Sequence, residues 1–280
     1  MGQLKDPWLN YGDYIKIDNL AARAGSNEFV VLHPVSGWND MLKFTDCKNV
    51  NELSVVFLGE RMLPFFSGGY IMKTKEYVIL NKIHQGAKSY KEHLLGKVFM
   101  FVYNDTFIEV LFKKSCFLHL TGVATNLYAD DFFKKALKKK GLMLHNISYD
   151  QTHPIDLILK KVFVLKDLYK VTIKEVFIID NIVTATANYR IGVTDIEIVI
   201  LFGPDINKNG ELVSSYLIPY SLRVENIANN KFGNMFEIEY TFVKENGQKK
   251  YAEISYKGKK KISEFPDKIL GKLDESLLEK

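Results

Sequence analysis

The chain has little cysteine and no long apolar run. Its only cysteines are Cys47 and Cys116, which excludes a disulfide scaffold and predicts two buried thiols in a reducing cytoplasm. No run of about 18 apolar residues occurs, so we expect no membrane-spanning helix and no membrane partner. The opening residues, Met-Gly-Gln-Leu-Lys-Asp, lack the apolar segment of a secretory signal. Together these absences predict a soluble, cytoplasmic protein.

The usual signatures of metal and nucleotide sites are also missing. There is no His/Cys cluster with zinc spacing, no Walker A loop and no Gly-x-Gly-x-x-Gly segment. Residues 205–210 imitate the start of a calcium-binding loop, but Tyr216 stands where a bidentate glutamate is required. We therefore expect a loop between strands there, and neither a metal nor a cofactor.

Positive charge is concentrated in the second part of the chain. Residues 1–85 carry nine Lys/Arg and nine Asp/Glu, whereas residues 86–280 carry 29 and 24, out of totals of 38 and 33. The excess of five positive charges therefore lies after residue 85. Such an excess suits a polyanionic partner such as RNA or DNA.

The first part of the chain favours strands. Apolar, β-branched runs at 29–32, 54–58 and 77–80 are typical of short strands. The tetrapeptide Gln-Gly-Ala-Lys at 85–88 is polar and contains glycine, which indicates a loop. We therefore predict two domains: an unassigned mixed α/β module at 1–86, which is a possible docking unit for a protein partner, and a second domain at 87–280.

The second part reads as helices followed by strands. A short helix at 89–95 precedes strands at 98–103 and 107–112, which the turn residues Asn104 and Asp105 connect. Two helices follow, one from Asn126 to a stop at Gly141, and one from about residue 153 in which Lys160 and Lys161 are expected to be exposed. From about residue 174 strands dominate: a hairpin turning at 180–181, a strand at 195–202, two strands flanking 219–221, and a half-buried strand at 235–243. This order predicts an α+β fold.

Residues 112–122 are the most informative stretch. As a helix, they place Phe117, Leu120 and Ala124 on one stripe and His119 roughly opposite it, beside Ser115 and Val123. Two lysines precede the run, and an imidazole near lysines is suited to chemistry on a phosphate. The alternative is a structural histidine in a helix packed on a sheet.

Metal-free cleavage of RNA needs a base for the ribose 2′-hydroxyl, an acid for the leaving oxygen, and cations or hydrogen-bond donors around the phosphorane. One histidine with lysines, arginines and a hydroxyl group can supply these parts. The candidate residues are His119, Lys113, Lys114, Thr121, Arg190, Tyr220, Ser221 and Arg223. For each arginine, the alternative is a surface ion pair or an edge residue.

Several segments of the second part of the chain resemble segments of a known protein family and occur in the same order. They read Leu-Gly-Lys-Val-Phe-Met-Phe-Val-Tyr at 95–103, Ile-Glu-Val-Leu-Phe-Lys-Lys at 108–114, and Phe-Leu-His-Leu-Thr-Gly at 117–122. With Leu-Ile-Pro-Tyr-Ser-Leu at 217–222, they resemble the fourth phage-associated family of barnase–EndoU–colicin–RelE-like (BECR) nuclease domains, over about residues 88–270. Residues 1–85 have no counterpart in that family.

The resemblance implies helices followed by a curved antiparallel sheet. It also implies metal-independent RNase activity, encoded on phages, mobile elements or toxin and defence systems. By this resemblance His119 is the catalytic candidate, and Thr121 and Ser221 are further candidates for a catalytic role. The residues expected to bind the phosphates are Lys113, Lys114, Arg190, Tyr220 and Arg223. The alternative function is a non-catalytic module of a mobile element that binds nucleic acid or a protein partner.

Overall fold

A computed structural model describes residues 28–31, 41–45, 54–58, 70–149, 153–184, 187–226 and 231–278. The chain divides into two compact units between Ile79 and Leu80. The first contains a three-stranded antiparallel meander of β1 (Glu28–Val31), β2 (Met41–Thr45) and β3 (Ser54–Leu58). The predicted domain division at residues 86 and 87 stays a prediction, and Cys47 lies outside the described residues.

A long helix, α1 (Tyr70–His93), lies where the sequence predicted a strand and a loop. Residues 77–80 are helical rather than extended, and residues 85–88 are helical rather than a loop. Gly86 has a packing role instead, because a side-chain carbon there would lie 2.5 Å from the Cβ of Leu165. The glycine therefore permits close contact between α1 and the segment after α4 (Ile155–Val164).

The second unit is built on a nine-stranded sheet. Its order is β10-β6-β7-β8-β9-β5-β4-β11-β12. The strands are β4 (Lys97–Tyr103), β5 (Thr106–Leu111), β6 (Phe177–Val183), β7 (Asn188–Thr194), β8 (Ile198–Ile206), β9 (Leu212–Val224), β10 (Met235–Glu237), β11 (Tyr240–Glu245) and β12 (Glu253–Lys257). Neighbours are antiparallel except β5 and β9, which run parallel where Val110 pairs with Leu217.

The hairpin of β4 and β5 follows directly from the sequence. Asn104 and Asp105 have φ angles of 45° and 56°, the left-handed conformation that a two-residue hairpin turn requires and that these residue types tolerate. The predicted hairpin at 180–181 is wrong, because β6 continues through both residues. The two strands predicted around 219–221 are one strand, β9, whose pairing with β8 is irregular at that point.

Helices cover part of this sheet. They are α2 (Cys116–Thr121), α3 (Ala129–Ala136), α4, and the short α5 (Asp267–Leu270) and α6 (Glu275–Leu278), with 3-10 turns at Leu144–Asn146, Leu165–Thr172 and Ile262–Glu264. The α+β prediction is confirmed, although the sheet is mixed rather than purely antiparallel. Within the described part of the chain, every helix is too short or too polar to cross a bilayer.

Side chains alternate between the two faces of β4 and give each face its own core. On the first face, an aromatic cluster joins β4 to α1, α2 and α3. Its centre is Phe117, whose ring lies 5.3 Å from Tyr90 and 5.2 Å from Phe133 between centroids. On the other face, Val98, Met100 and Val102 pack with residues of the C-terminal segment, including Phe265 and Ile269.

A charged network lies beside this second core. Glu109 of β5 accepts hydrogen bonds from the Tyr251 hydroxyl (2.7 Å) and the Lys272 ammonium (2.8 Å). The ammonium of Lys244, whose side chain is only 5% exposed, lies 3.9 Å from Glu109 and 4.4 Å from the centre of the Tyr251 ring. One carboxylate therefore serves two lysines and ties the C-terminal segment to the sheet.

Candidate functional site

The helix α2 follows β5 after a short basic link and ends at Gly122, which has a φ of +74°. This left-handed residue is the usual way for a helix to stop, and glycine adopts it without steric cost. The buried hydroxyl of Thr121 donates to the Leu118 carbonyl (2.7 Å) and accepts from the Val123 N–H (3.3 Å). Thr121 therefore satisfies backbone groups at the end of the helix.

His119 lies on the outer side of α2. Phe117 and Leu120 are completely buried, whereas His119 is exposed, so the predicted separation of the histidine from the apolar stripe is confirmed. Partial removal of water from the ring lowers the pKa of His119 below its ordinary value, and no charged group among the described residues adds to the shift. The imidazole is therefore mostly neutral at pH 7, which is the form that can accept a proton.

A lysine from another helix reaches the end of α2. A side-chain carbon at Gly122 would lie 2.8 Å from the Cδ of Lys161 and 3.2 Å from its Nζ. Gly122 directly follows the last residue of α2 and lies three residues after His119. The prediction that Lys161 is exposed is wrong, because the side chain is half-buried where it crosses Gly122.

Lys161 also has a cationic neighbour on β9. Burial lowers the pKa of Lys161, the positive charge of Arg223 lowers it further, and Glu225 opposes the shift. Arg223 forms an ion pair with Glu225 at 3.5 Å. Two partly desolvated cations with one carboxylate leave a net positive charge, an arrangement that an added anion such as a phosphate would stabilise.

A second polar cluster lies at the other end of α2. The ammonium of Lys113 contacts both carboxylate oxygens of Asp205, at 2.8 and 3.0 Å. Ser214 donates to the same carboxylate at 2.8 Å, and Asp205 is only 2% exposed. Lys113 is thus held and neutralised by Asp205, a partner that the sequence did not reveal, while Lys114 is exposed.

Tyr220 belongs to this second cluster. It is the extra residue of a β-bulge, since Leu201 pairs with Ser221 and Phe202 with Pro219. Its hydroxyl donates to the Pro204 carbonyl at 2.6 Å. Burial, followed by the charge of Asp205, raises the pKa of Tyr220, so the phenol is a hydrogen-bond donor rather than an anion at neutral pH.

The remaining predicted residues lie along the sheet. Ser221 and Arg223 are two residues apart on β9, both half-buried. Arg190 is exposed on β7, which β8 separates from β9, so it stands about 10 Å to the side of β9. The fold therefore places Lys161 and Arg223 together near the end of α2, the helix that carries His119, and groups Lys113 with Tyr220 around Asp205 in another region.

The described residues offer no site for a metal ion: nowhere among them do three His, Cys, Asp or Glu side chains converge suitably. Cys116 is a free, buried thiol, and burial raises its pKa to about 11. It therefore stays protonated, which does not suit a nucleophile or a metal ligand.

Comparison with known proteins gives one match. A family model described as phage-Barnase-EndoU-ColicinE5/D-RelE like nuclease 4 matches residues 82–263. No curated protein matches the chain, and no solved structure matches it. The matched range contains α2, α4 and β9, and thus every residue of the two clusters described above. The chain therefore belongs to the fourth family of phage-associated barnase–EndoU–colicin–RelE-like nucleases.

Proposed function

We propose that residues 87–280 form an endoribonuclease that needs no metal ion, with His119 at the centre of its active site. The observation that carries the proposal is Lys161, which crosses Gly122 at the end of the helix that carries His119, with Arg223 as its charged neighbour. A neutral imidazole on the helix whose end contacts the Lys161 side chain suits attack on a phosphodiester. Membership of a nuclease family makes nucleic acid the substrate class.

In the proposed reaction, His119 removes the proton from a ribose 2′-hydroxyl. The 2′-oxygen forms a bond to the adjacent phosphorus, and the bond from phosphorus to the 5′-oxygen breaks. Ser221 relays a proton from solvent to the departing 5′-oxygen. The products are a 2′,3′-cyclic phosphate and a 5′-hydroxyl, and the proton on His119 returns to solvent.

The cations have different proposed roles. Lys161 and Arg223 stabilise the negative charge that builds on the phosphorane. Lys114 and Arg190, both exposed, bind phosphates on either side of the scissile bond. Lys113 is held by Asp205 and Tyr220 by Pro204, so in this proposal they position the neighbouring backbone, and Thr121 does the same at the end of α2.

We further propose that the protein acts in the cytoplasm, within a phage, mobile-element or toxin and defence system. Residues 1–86 would then dock a protein partner. The phage-associated family supports this setting. Co-purification of a partner by the full chain, but not after truncation of residues 1–86, would be the expected result.

The chemistry is testable with a modified substrate. Cleavage of a single-stranded RNA in EDTA is expected, and replacing the ribose at the cleavage site by deoxyribose should abolish it because the nucleophile is removed. Products are identified by mass, with a 2′,3′-cyclic phosphate expected. Cleavage of the deoxyribose-substituted RNA, or activity that EDTA removes, would contradict the mechanism. Binding of RNA without any turnover would favour a non-catalytic nucleic-acid-binding module.

Substitution at Gly122 tests the placement of Lys161. Gly122→Ala must adopt a left-handed backbone and also displace Lys161. We expect the free energy of unfolding to fall by about 1–2 kcal/mol, and RNA cleavage to fall as well. Gly247→Ala is the matched control, since Gly247 has a φ of +98° with nothing within 4 Å of an added carbon. It should lose similar stability without losing activity; equal activity in both variants would remove Lys161 from the site.

A further inference from the structure

Exposed apolar side chains gather where the β8–β9 hairpin meets the start of α3. Tyr128 is 79% exposed, Leu212 72% and Ile206 44%. Ile206 and Leu212 pair directly across the hairpin, so their side chains lie on the same face. With Lys208 from the turn between them, these residues form what we call the tip patch: Tyr128, Ile206, Lys208 and Leu212.

The tip patch is held in a defined geometry. In the turn, the Asn207 side-chain oxygen accepts from the N–H groups of Asn209 (2.9 Å) and Glu211 (3.0 Å). The Lys208 ammonium lies 6.0 Å from the centre of the Tyr128 ring, at the outer limit of a cation–π contact. The hairpin therefore holds a cation over one face of the Tyr128 ring, and the 79% exposure of Tyr128 leaves most of the rest of the side chain open to solvent.

The patch lies near the second polar cluster, at the start of the helix that carries His119. Lys208 is three residues from Asp205, so their Cα atoms are at most about 11 Å apart, and Asp205 is bonded to Lys113 at the start of α2. Tyr128 follows His119 by nine residues, after the turn at Gly122. A strand bound across α2 could therefore contact both regions.

Tyrosine rings with neighbouring lysines are suited to one class of ligand in particular. An unpaired base stacks on an exposed aromatic face, while the adjacent phosphate binds a lysine. Bases in a duplex are stacked on each other and cannot be reached in this way. Exposed lysines that a polyanion could contact are Lys208 in the patch and Lys114 before α2, whereas the first turn of α3, directly after Tyr128, carries Asp130 and Asp131.

We infer that the tip patch is a stacking platform for an unpaired base of the single-stranded RNA that is cut. The inference rests on the proposed function, because it specifies the form of RNA that this same site accepts. Tyr128 provides the stacking surface, Lys208 binds the neighbouring phosphate, and Ile206 and Leu212 support the base or its ribose.

The inference is tested by binding, separately from cleavage. The full chain carrying His119→Ala is titrated into a short, labelled single-stranded RNA and into the same sequence as a duplex, both in EDTA. The single strand is expected to bind more tightly. Adding Tyr128→Leu, which keeps apolar bulk but removes the ring, should weaken single-strand binding by about 5- to 100-fold. Tyr128→Phe should bind normally, as should Tyr77→Leu, since Tyr77 is another exposed tyrosine (51%).

The outcomes separate this inference from the proposed function. Equal binding by Tyr128→Leu and Tyr128→Phe would overturn the stacking platform, even if the wild-type protein cuts RNA. Equal affinity for single strand and duplex, or no binding at all, would overturn it as well. Binding that depends on the Tyr128 ring, in a protein that cuts no RNA, would support the platform and overturn the proposed catalysis.

Discussion

His119→Ala is expected to reduce the rate of RNA cleavage by about 10²- to 10⁴-fold, the usual contribution of a general base. The structure predicts little effect on folding, because the imidazole is exposed while its neighbours Phe117 and Leu120 provide the buried contacts. Rates are measured on a single-stranded RNA in EDTA, with unfolding followed in parallel. A rate equal to that of the wild type would remove His119 from the mechanism.

His145→Ala is the matched control, because His145 is also an exposed histidine in the same unit but lies outside both clusters. It should cleave RNA at the wild-type rate. The dependence of the rate on pH gives a second check. A base must be unprotonated, and burial lowers the pKa of His119, so the rate should fall only below the ordinary histidine value of about 6.5. If the rate already falls with decreasing pH while the pH is still above that value, the group that must be unprotonated is not His119.

Glu109→Ala is expected to reduce the free energy of unfolding by about 3 kcal/mol or more. Removing one member of a buried ion pair typically costs about 3–5 kcal/mol, because the other charge stays buried without a partner. In this variant the Lys244 ammonium would lose its carboxylate partner although only 5% of the Lys244 side chain is exposed. The Tyr251 hydroxyl would lose its hydrogen-bond acceptor. Because Lys272 is 35% exposed and can turn to water, we expect the lower end of that range. Urea unfolding measures the loss.

A double variant separates the buried charge from simple loss of packing. Adding Lys244→Met to Glu109→Ala removes the stranded ammonium and should recover part of the lost stability. Strictly additive losses would show that the two groups do not interact. Asp131→Ala is the surface comparison, because Asp131 and Lys134 pair at 3.0 Å with 51% and 63% exposure. It should cost no more than about 1 kcal/mol.

Local signals in the sequence predicted some elements well and others poorly. The turn of β4 and β5 was predictable because Asn104 and Asp105 set its geometry by themselves. Residues 77–80 have strand propensity, yet they belong to a helix of 24 residues, since cooperative helix formation and packing override local preference. The sequence suggested Asp180 as a turn residue, but its carboxylate accepts a hydrogen bond from the backbone N–H of Asn234 at 2.7 Å.

The candidate site was predictable only in part, for a similar reason. The 3.6-residue period placed His119 off the apolar stripe, and the motif around it indicated the family. Lys161 and Arg223 are distant in sequence from His119 and from each other. Their proximity depends on how α4 and β9 pack, and periodicity within one element contains no information about that. Asp205 was likewise assigned to a loop, although it is buried within β8.

The position of β11 in the sheet has a consequence for how this chain folds. β11 pairs with β4 along six consecutive residues, although about 140 residues separate the two strands in the sequence. Closing so long a loop costs entropy before any contact forms, so such topologies fold slowly. On the ribosome, β4 and β5 emerge well before β11, and the strand next to β4 is absent until most of the unit has been synthesised. The nine-stranded sheet therefore cannot be completed before β11 has been synthesised, and until then the β4 edge that β11 covers has no strand paired to it.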